Sequence, residues 1–240
     1  GDAQACFHIR WGSGASGILR RRFAWLLLYN RALHAAWAVP SGLRLVVPAP
    51  HNLLPSDDRL QAPVNAQVDA VFVLSVRSFH DRIAHIESEL RKHGIAFEWV
   101  FEHAAVELSP ELIEATFSPS DMGPPQQSLV LKHIETWKRC VERGYRRVLV
   151  FEDDAKLARD FGPVLASAMS EADESSQPYM IYLGCGDNKY VEGARRSPTM
   201  LVKPDSELPA TDATVVDYSA ALLRLEYLKR HRITRPADWL

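Results

Sequence analysis

From Val68 onward the chain alternates two hydrophobic rhythms. Short unbroken apolar runs are followed by stretches in which apolar residues recur every three or four positions. That alternation predicts buried strands separated by amphipathic helices. Val71-Phe-Val-Leu74 is the first such run, and Ser78-Phe-His-Asp81 after it has the S-x-x-D form of a helix N-terminal capping box. Ile83, Ile86 and Leu90 then keep helical spacing up to Gly94, which suits a C-terminal cap. A second strand over Ile95 to Phe101 completes a β-α-β unit, for which a parallel pair with a right-handed crossover is expected. Pro110, Pro119, Pro124 and Pro125 break the next stretch, leaving room for one short helix near Glu111 to Ala115.

The strongest periodicity lies between Leu129 and Val141, where Val130, His133, Ile134, Trp137 and Cys140 share one face, and Gly144 closes the helix. Val148 to Phe151 is a strand that runs into Glu152, Asp153 and Asp154. Asp160 to Met169 reads as a helix and Tyr179 to Leu183 as a strand ending in the turn cluster Gly184-Cys-Gly-Asp-Asn188. Thr199 to Val202 and Ala213 to Val216 are expected short strands, with Ser219 capping a helix through Leu222, Leu225 and Leu228. The order implies an α/β fold with a mostly parallel sheet flanked by helices.

Residues 1–67 break this rhythm and are expected to form an irregular extension outside the core, ahead of a catalytic domain over 68–240 whose C-terminal end is open to truncation. Gly and Ser dominate 11–17, and 39–63 carries five prolines. Arg20, Arg21 and Arg22 precede Phe23-Ala-Trp-Leu-Leu-Leu-Tyr29, an apolar run far short of the roughly 20 residues that span a bilayer. An amphipathic helix on the domain or on a membrane surface is the expectation, hence peripheral membrane association.

Composition narrows the class. The chain is 47% hydrophobic and 24% charged, ordinary for a soluble globular domain, and its net charge of −2 offers no general attraction to nucleic acid. Cys6, Cys140 and Cys185 are too widely spaced for a disulfide framework or zinc knuckle, which fits a reducing compartment.

Three consecutive carboxylates at the end of a strand repel one another, and a divalent cation that prefers hard oxygen ligands offsets the repulsion. Open α/β sheets place ligands at the carboxyl ends of their strands. The bland alternative is a solvated acidic turn, and a metal-dependent phosphoesterase is a rival use of the same groups, though no His-x-Asp or His-x-His pair accompanies them.

V-F-V-L-S-V near Val71 with Asp81-Arg82, then G-x-x-x-x-S-L-V-L-K-H-I-E-T-W from Gly123 to Trp137, then V-L-V-F-E-D-D-A-K-L to Leu157, together resemble glycosyltransferase family 25. Tyr182 to Asn188 and the R-P-A-D-W-L ending at Leu240 look like further family positions. The resemblance implies a GT-A-like (Rossmann-like) transferase that holds a UDP-sugar donor through Mn2+ or Mg2+. Carried onto this chain, it makes Glu152 and Asp154 the metal ligands and Asp153 a donor contact. Ser75, Arg77, Arg82, Gln127 and His133 are further donor-site candidates, with Lys132 standing where the family usually has serine. Family members invert the anomeric centre, so a general base is expected; Asp238 is the first candidate, followed by Asp212 and Asp187.

The resulting expectation is a hexosyltransferase moving galactose from UDP-galactose to a saccharide acceptor of a cell-surface glycan such as lipooligosaccharide. A degenerate transferase kept as a binding module is the non-enzymatic alternative. The expected location is the cytoplasm or the cytoplasmic membrane face; reading the N-terminal segment as a signal makes it the ER or Golgi lumen instead.

Overall fold

The computed structural model describes residues 63–174, 177–183 and 212–237. Thr199 to Val202 and the turn cluster after Leu183 lie outside them, as does Asp238. Within them, β1 (Ala70–Leu74), β2 (Glu98–Val100), β3 (Arg147–Glu152), β4 (Met180–Tyr182) and β5 (Ala213–Asp217) form one sheet in the order β2-β1-β3-β5-β4. β1 is parallel to both β2 and β3, whereas β5 runs antiparallel to β3 and β4. Four strands therefore share one direction and β5 reverses it.

Alternation along the strands covers the sheet on both sides. Phe72 lies under Arg139 of α4 (Pro124–Glu142) and under Arg143, the residue that caps its C-terminal end, with guanidinium-to-ring distances of 5.6 and 5.9 Å. Phe151 is in register with Val73, the next position of β1, and meets Phe161 of α5 (Phe161–Asp173) at 5.7 Å between ring centroids. Adjacent residues of a strand point to opposite faces, so α4 and α5 take different faces. Both β1 and β3 are consequently buried on both sides, as their unbroken apolar runs require.

α2 (His80–Lys92) follows β1 and buries Ile86, Glu89 and Leu90; Glu89 accepts from the backbone N–H of Leu157 at 3.0 Å. The expected capping box is not formed. The helix begins at His80 with Phe79 at the cap position and no side-chain cap, because Ser78 lies one residue too early to reach the free N–H groups of the first turn. Gly94 and Gly144 adopt φ of 63° and 65°, the left-handed helix ends their sequence positions indicated. The short helix α3 (Pro110–Thr116) is present, capped by Ser109 on the N–H of Leu112.

α6 (Tyr218–Leu228) forms as expected, with Leu225 and Leu228 packed against the core, but corrects the expected cap. Asp217, the last residue of β5, caps it by accepting from Ala220 N at 2.6 Å, since the chain passes from strand to helix without a loop and the cap falls before Ser219. Its buried face is Ala220, Ala221 and Arg224, and Leu222 is exposed. Small residues let α6 lie close against α4, where Arg224 covers the fully buried Trp137 at 5.3 Å.

α1 (Val64–Gln67) packs on α5, with Val64, Gln67 and Val68 buried. Its end is tied down by Arg147, whose guanidinium donates to Gln67 O at 2.6 Å, to Asp173 Oδ1 at 2.6 Å and to the Tyr179 hydroxyl at 3.1 Å. Residues 63–67, which the sequence pattern assigns to the extension, thus belong to the packed unit. Among the described residues no helix is long and apolar enough to cross a membrane.

Candidate active site

The register of the central strands builds the site. Leu74 of β1 lies opposite Glu152 of β3, so Ser75 and Asp153 leave the sheet side by side. Ser75 Oγ donates to Asp153 Oδ2 at 2.6 Å, and Arg82, from the first turn of α2, donates through Nη1 to Asp153 Oδ1 at 2.7 Å. The same Nη1 is 3.0 Å from Asp154 Oδ2. Both oxygens of the middle carboxylate are therefore occupied by the protein, and Asp153 is 4% exposed. Its position makes it an anchor for the acidic segment.

The outer carboxylates are held differently. Glu152 Oε1 lies 3.6 Å from His133 Nε2 of α4, and neither ring nitrogen of the buried His133 has a hydrogen-bond partner. Asp154 keeps one oxygen, Oδ1, buried without a hydrogen bond. Desolvation, with repulsion from Glu152 next and Arg82 opposing, pushes the Asp154 carboxyl up to about 6. Among the described residues no group of three or more His, Cys, Asp or Glu side chains is placed to hold a metal ion. Two carboxylates, one with an unpartnered buried oxygen, nevertheless fit a hard cation of the kind that completes its shell with substrate phosphates and water.

A cavity of about 370 Å³ opens beside these groups at the carboxyl ends of β1 and β3. Ser75, Arg82, Lys132, Glu152 and Asp153 are its polar lining; Val76, Phe79, Val106, Pro125 and Leu129 are its apolar lining. Its outer wall is the segment after β2, which α4 holds by three successive carbonyls. Lys132 Nζ donates to Phe101 O and Glu102 O at 3.0 and 2.6 Å, and Ser128 Oγ donates to His103 O at 2.6 Å. His103 sits at φ 61°, a conformation that costs a non-glycine residue energy and is maintained here by those bonds. Burial lowers the Lys132 amine to about 8, opposed by the charges of Glu102, Glu107 and Asp153.

The sequence-derived residues distribute unevenly around this cavity. Ser75, Arg82, Glu152 and Asp153 line it, and Asp154, outside the lining, joins them through its 3.0 Å contact with Arg82. Arg77 is exposed and lies over the Phe101 ring at 4.5 Å, and Gln127 is buried in the first turns of α4, outside the cavity lining. His133 sits behind Glu152. Asp212 is brought to the acidic segment through its backbone, whose carbonyl accepts from Glu152 N at 2.9 Å. Asp187 and Asp238 lie outside the described residues. Lys132, Phe79 and Val106 line the cavity without having been assigned to it from sequence. For Lys132 a signal existed, a lysine inside the apolar run Val130 to Ile134.

Cys140 is a free, buried thiol, and desolvation pushes it up to about 12, which makes it inert as a nucleophile at neutral pH.

Comparison with known proteins agrees with the motif order. A 102-residue stretch is 28% identical to the lacto-N-neotetraose biosynthesis glycosyltransferase LgtB of Neisseria meningitidis serogroup B, covering 39% of this chain and 36% of that protein. A 134-residue stretch is 27% identical to the human inactive glycosyltransferase 25 family member 3, covering 51% of this chain and 22% of that protein. The matches thus span well under half the length of either curated relative. The family model described as glycosyltransferase family 25 (LPS biosynthesis protein) matches residues 68–206, more than half of the sequence and the whole run from β1 past β4; the chain belongs to glycosyltransferase family 25.

Proposed function

We propose that this protein is a metal-dependent, inverting hexosyltransferase with a GT-A-like site that transfers galactose from UDP-galactose to a saccharide acceptor of a cell-surface glycan such as lipooligosaccharide. The observation that carries the reading is the acidic segment Glu152-Asp153-Asp154 anchored at the carboxyl end of β3 beside a ligand-sized cavity. Family membership supports glycosyl transfer, and the name of the neisserial relative, a lacto-N-neotetraose biosynthesis enzyme, supports a glycan acceptor.

In this mechanism Ser75 and Arg82 fix Asp153, so the backbone presents Glu152 and Asp154 toward the donor. Glu152 and Asp154 would hold Mn2+ or Mg2+, and the unpartnered Asp154 Oδ1 supports that assignment. What the cation supplies when bound is positive charge where the departing nucleoside diphosphate gathers negative charge. The acceptor hydroxyl must lose a proton as it attacks. The candidate bases are Asp238 first, then Asp212, whose backbone carbonyl accepts from Glu152 N, and Asp187. The proposed location is the cytoplasm or the cytoplasmic face of a membrane.

The test is titration with UDP-galactose, UDP-glucose and UDP-N-acetylglucosamine, with manganese and then with chelator, followed by a transfer assay on lactose-type acceptors. Manganese-dependent binding lost in both Glu152→Ala and Asp154→Ala supports the site; full activity in both variants rules it out. One observation favours a second reading, a binding module without turnover: the human relative is named inactive. Donor binding with no transfer to any acceptor or to water would select it.

A further inference from the structure

The polar lining of the cavity has an unequal stock of hydrogen-bond donors. Ser75 has given its proton to Asp153 and Ser128 has given its own to His103 O, each at 2.6 Å. Lys132 as an ammonium has three N–H groups. Two are taken by Phe101 O and Glu102 O, and the third has no acceptor among the described residues. The side chain is 3% exposed and lines the cavity, so the remaining N–H is withheld from bulk water and available to a ligand. A buried donor of this kind is a recognition element, because leaving it unmatched in a complex is costly.

The surroundings say what kind of acceptor fits. Val76, Phe79, Val106 and Leu129 line the same cavity as Lys132, and Phe79 and Val106 are 45% and 95% exposed. Large apolar side chains left in water at a cavity mouth suit a flat ring inserted between them. In the reading above the phosphates go to the cation held by Glu152 and Asp154, which leaves Lys132 and the apolar lining for the base. A ring carbonyl brings an acceptor without charge.

We propose that Lys132 reads the base of the bound nucleotide, donating its third N–H to a carbonyl oxygen of uracil and rejecting cytosine, whose exocyclic amine would present a donor to a donor. The inference rests on the nucleotide-sugar reading above and adds the residue that selects the nucleotide. In the pairing codes of the bases, uracil and thymine offer a carbonyl where cytosine offers N4–H2, so one donor-only side chain separates them.

The experiment is calorimetric titration of the full chain with UDP and with CDP at fixed manganese, for the wild type and Lys132→Met, with thermal melts as a folding control. UDP is expected to bind at least about tenfold more tightly than CDP, as for one mismatched buried donor. Lys132→Met should bring the ratio close to one. A wild type that binds both equally overturns the proposal. So does a Met variant that keeps the ratio, or one that weakens UDP and CDP alike, since Lys132 would then only pin the segment after β2 or contact phosphate. Failure of the folded wild type to bind either nucleotide would instead sink the nucleotide-sugar reading itself.

A second measurement needs no variant. Lys132 faces Glu102, Glu107 and Asp153, which favour its charge, and Arg77, which opposes it; with burial the amine stands at about 8. From about pH 6.5 to about pH 8.5 its protonated fraction falls from nearly all to about a quarter. A neutral amine that keeps two N–H groups on Phe101 and Glu102 turns its lone pair to the cavity, an acceptor that favours cytosine. The UDP to CDP preference should therefore shrink about fourfold or more over that range, and a constant ratio overturns the proposal.

Discussion

Asp154→Asn is expected to stabilise the protein while abolishing cation-dependent donor binding. The folded Asp154 carboxyl stands at about 6, against 3.8 for a free aspartate. The folded state therefore holds this proton more tightly than the unfolded state does. Stability from this group is greatest in acid and is lost as pH rises through the window from about 4 to about 6. At about 1.4 kcal/mol per pH unit, the charged form costs the apo protein up to about 3 kcal/mol at neutral pH. That cost is already net of the 3.0 Å ion pair with Arg82, so the amide, which avoids it, should gain about 2–3 kcal/mol. Urea unfolding with chelator present, at about pH 7.5 and again at about pH 4.5, measures it. The variant should lead at the higher pH, with the gap narrowing in acid. A variant less stable than the wild type at neutral pH, or an equal gap at both, would refute the reasoning: Asp154 would not be the strained carboxylate that its burial makes it.

Ser75→Ala removes a 2.6 Å charge-assisted bond between two buried groups and should cost about 1.5–3 kcal/mol, seen as a lower urea midpoint at unchanged slope; a loss under about 0.5 kcal/mol would mean Asp153 is not anchored there. Burial pushes Asp217 up to about 6 while it caps α6. Asp217→Asn retains the cap and should raise stability at neutral pH, the advantage fading below about pH 5 because the folded-state pKa is raised; Asp217→Ala should forfeit about 1 kcal/mol of that gain with the cap, and equal midpoints for the two would contradict the capping role. A chain beginning at Pro63 should unfold cooperatively, whereas one beginning at Asp69 loses the buried Val64 and Val68, about 3–6 kcal/mol by side-chain burial; identical melting of the two would show α1 contributes nothing.

The strands and the long helix were legible because their patterns are local. Val71 to Leu74 and Val148 to Phe151 are unbroken apolar runs, and each forms a strand buried on both faces. The reversal of β5 was not legible, since strand direction depends on the connection from β4, and a five-residue apolar run reads the same either way. The helix starts misled for a related reason. Ser78 and Ser219 are good capping residues by type, but the cap goes to whichever residue stands at the first free N–H groups, here Phe79 without a side-chain bond and Asp217 with one. The burial of Gln127 and Lys132 also escaped a periodicity argument, because α4 is enclosed by the sheet on one side and by α6 and the segment after β2 on others.

The acidic triplet shows what sequence leaves open and register decides. Three adjacent carboxylates look equivalent as letters. In the fold, the pairing of Leu74 with Glu152 sets Asp153 against Ser75, and α2 brings Arg82 over the same group, so the middle carboxylate has both oxygens committed. Burial, with repulsion from Glu152 added to it, then bears on Asp154, which carries the unpartnered oxygen and the raised pKa. Neutralising Asp153 should therefore damage folding first and ligand binding through it, whereas neutralising Asp154 should damage binding and relieve the fold. A site that concentrates its electrostatic strain on one residue is one in which an arriving cation gains the most from that residue, which is the physical reason to place the ligand at Asp154 and the scaffold at Asp153.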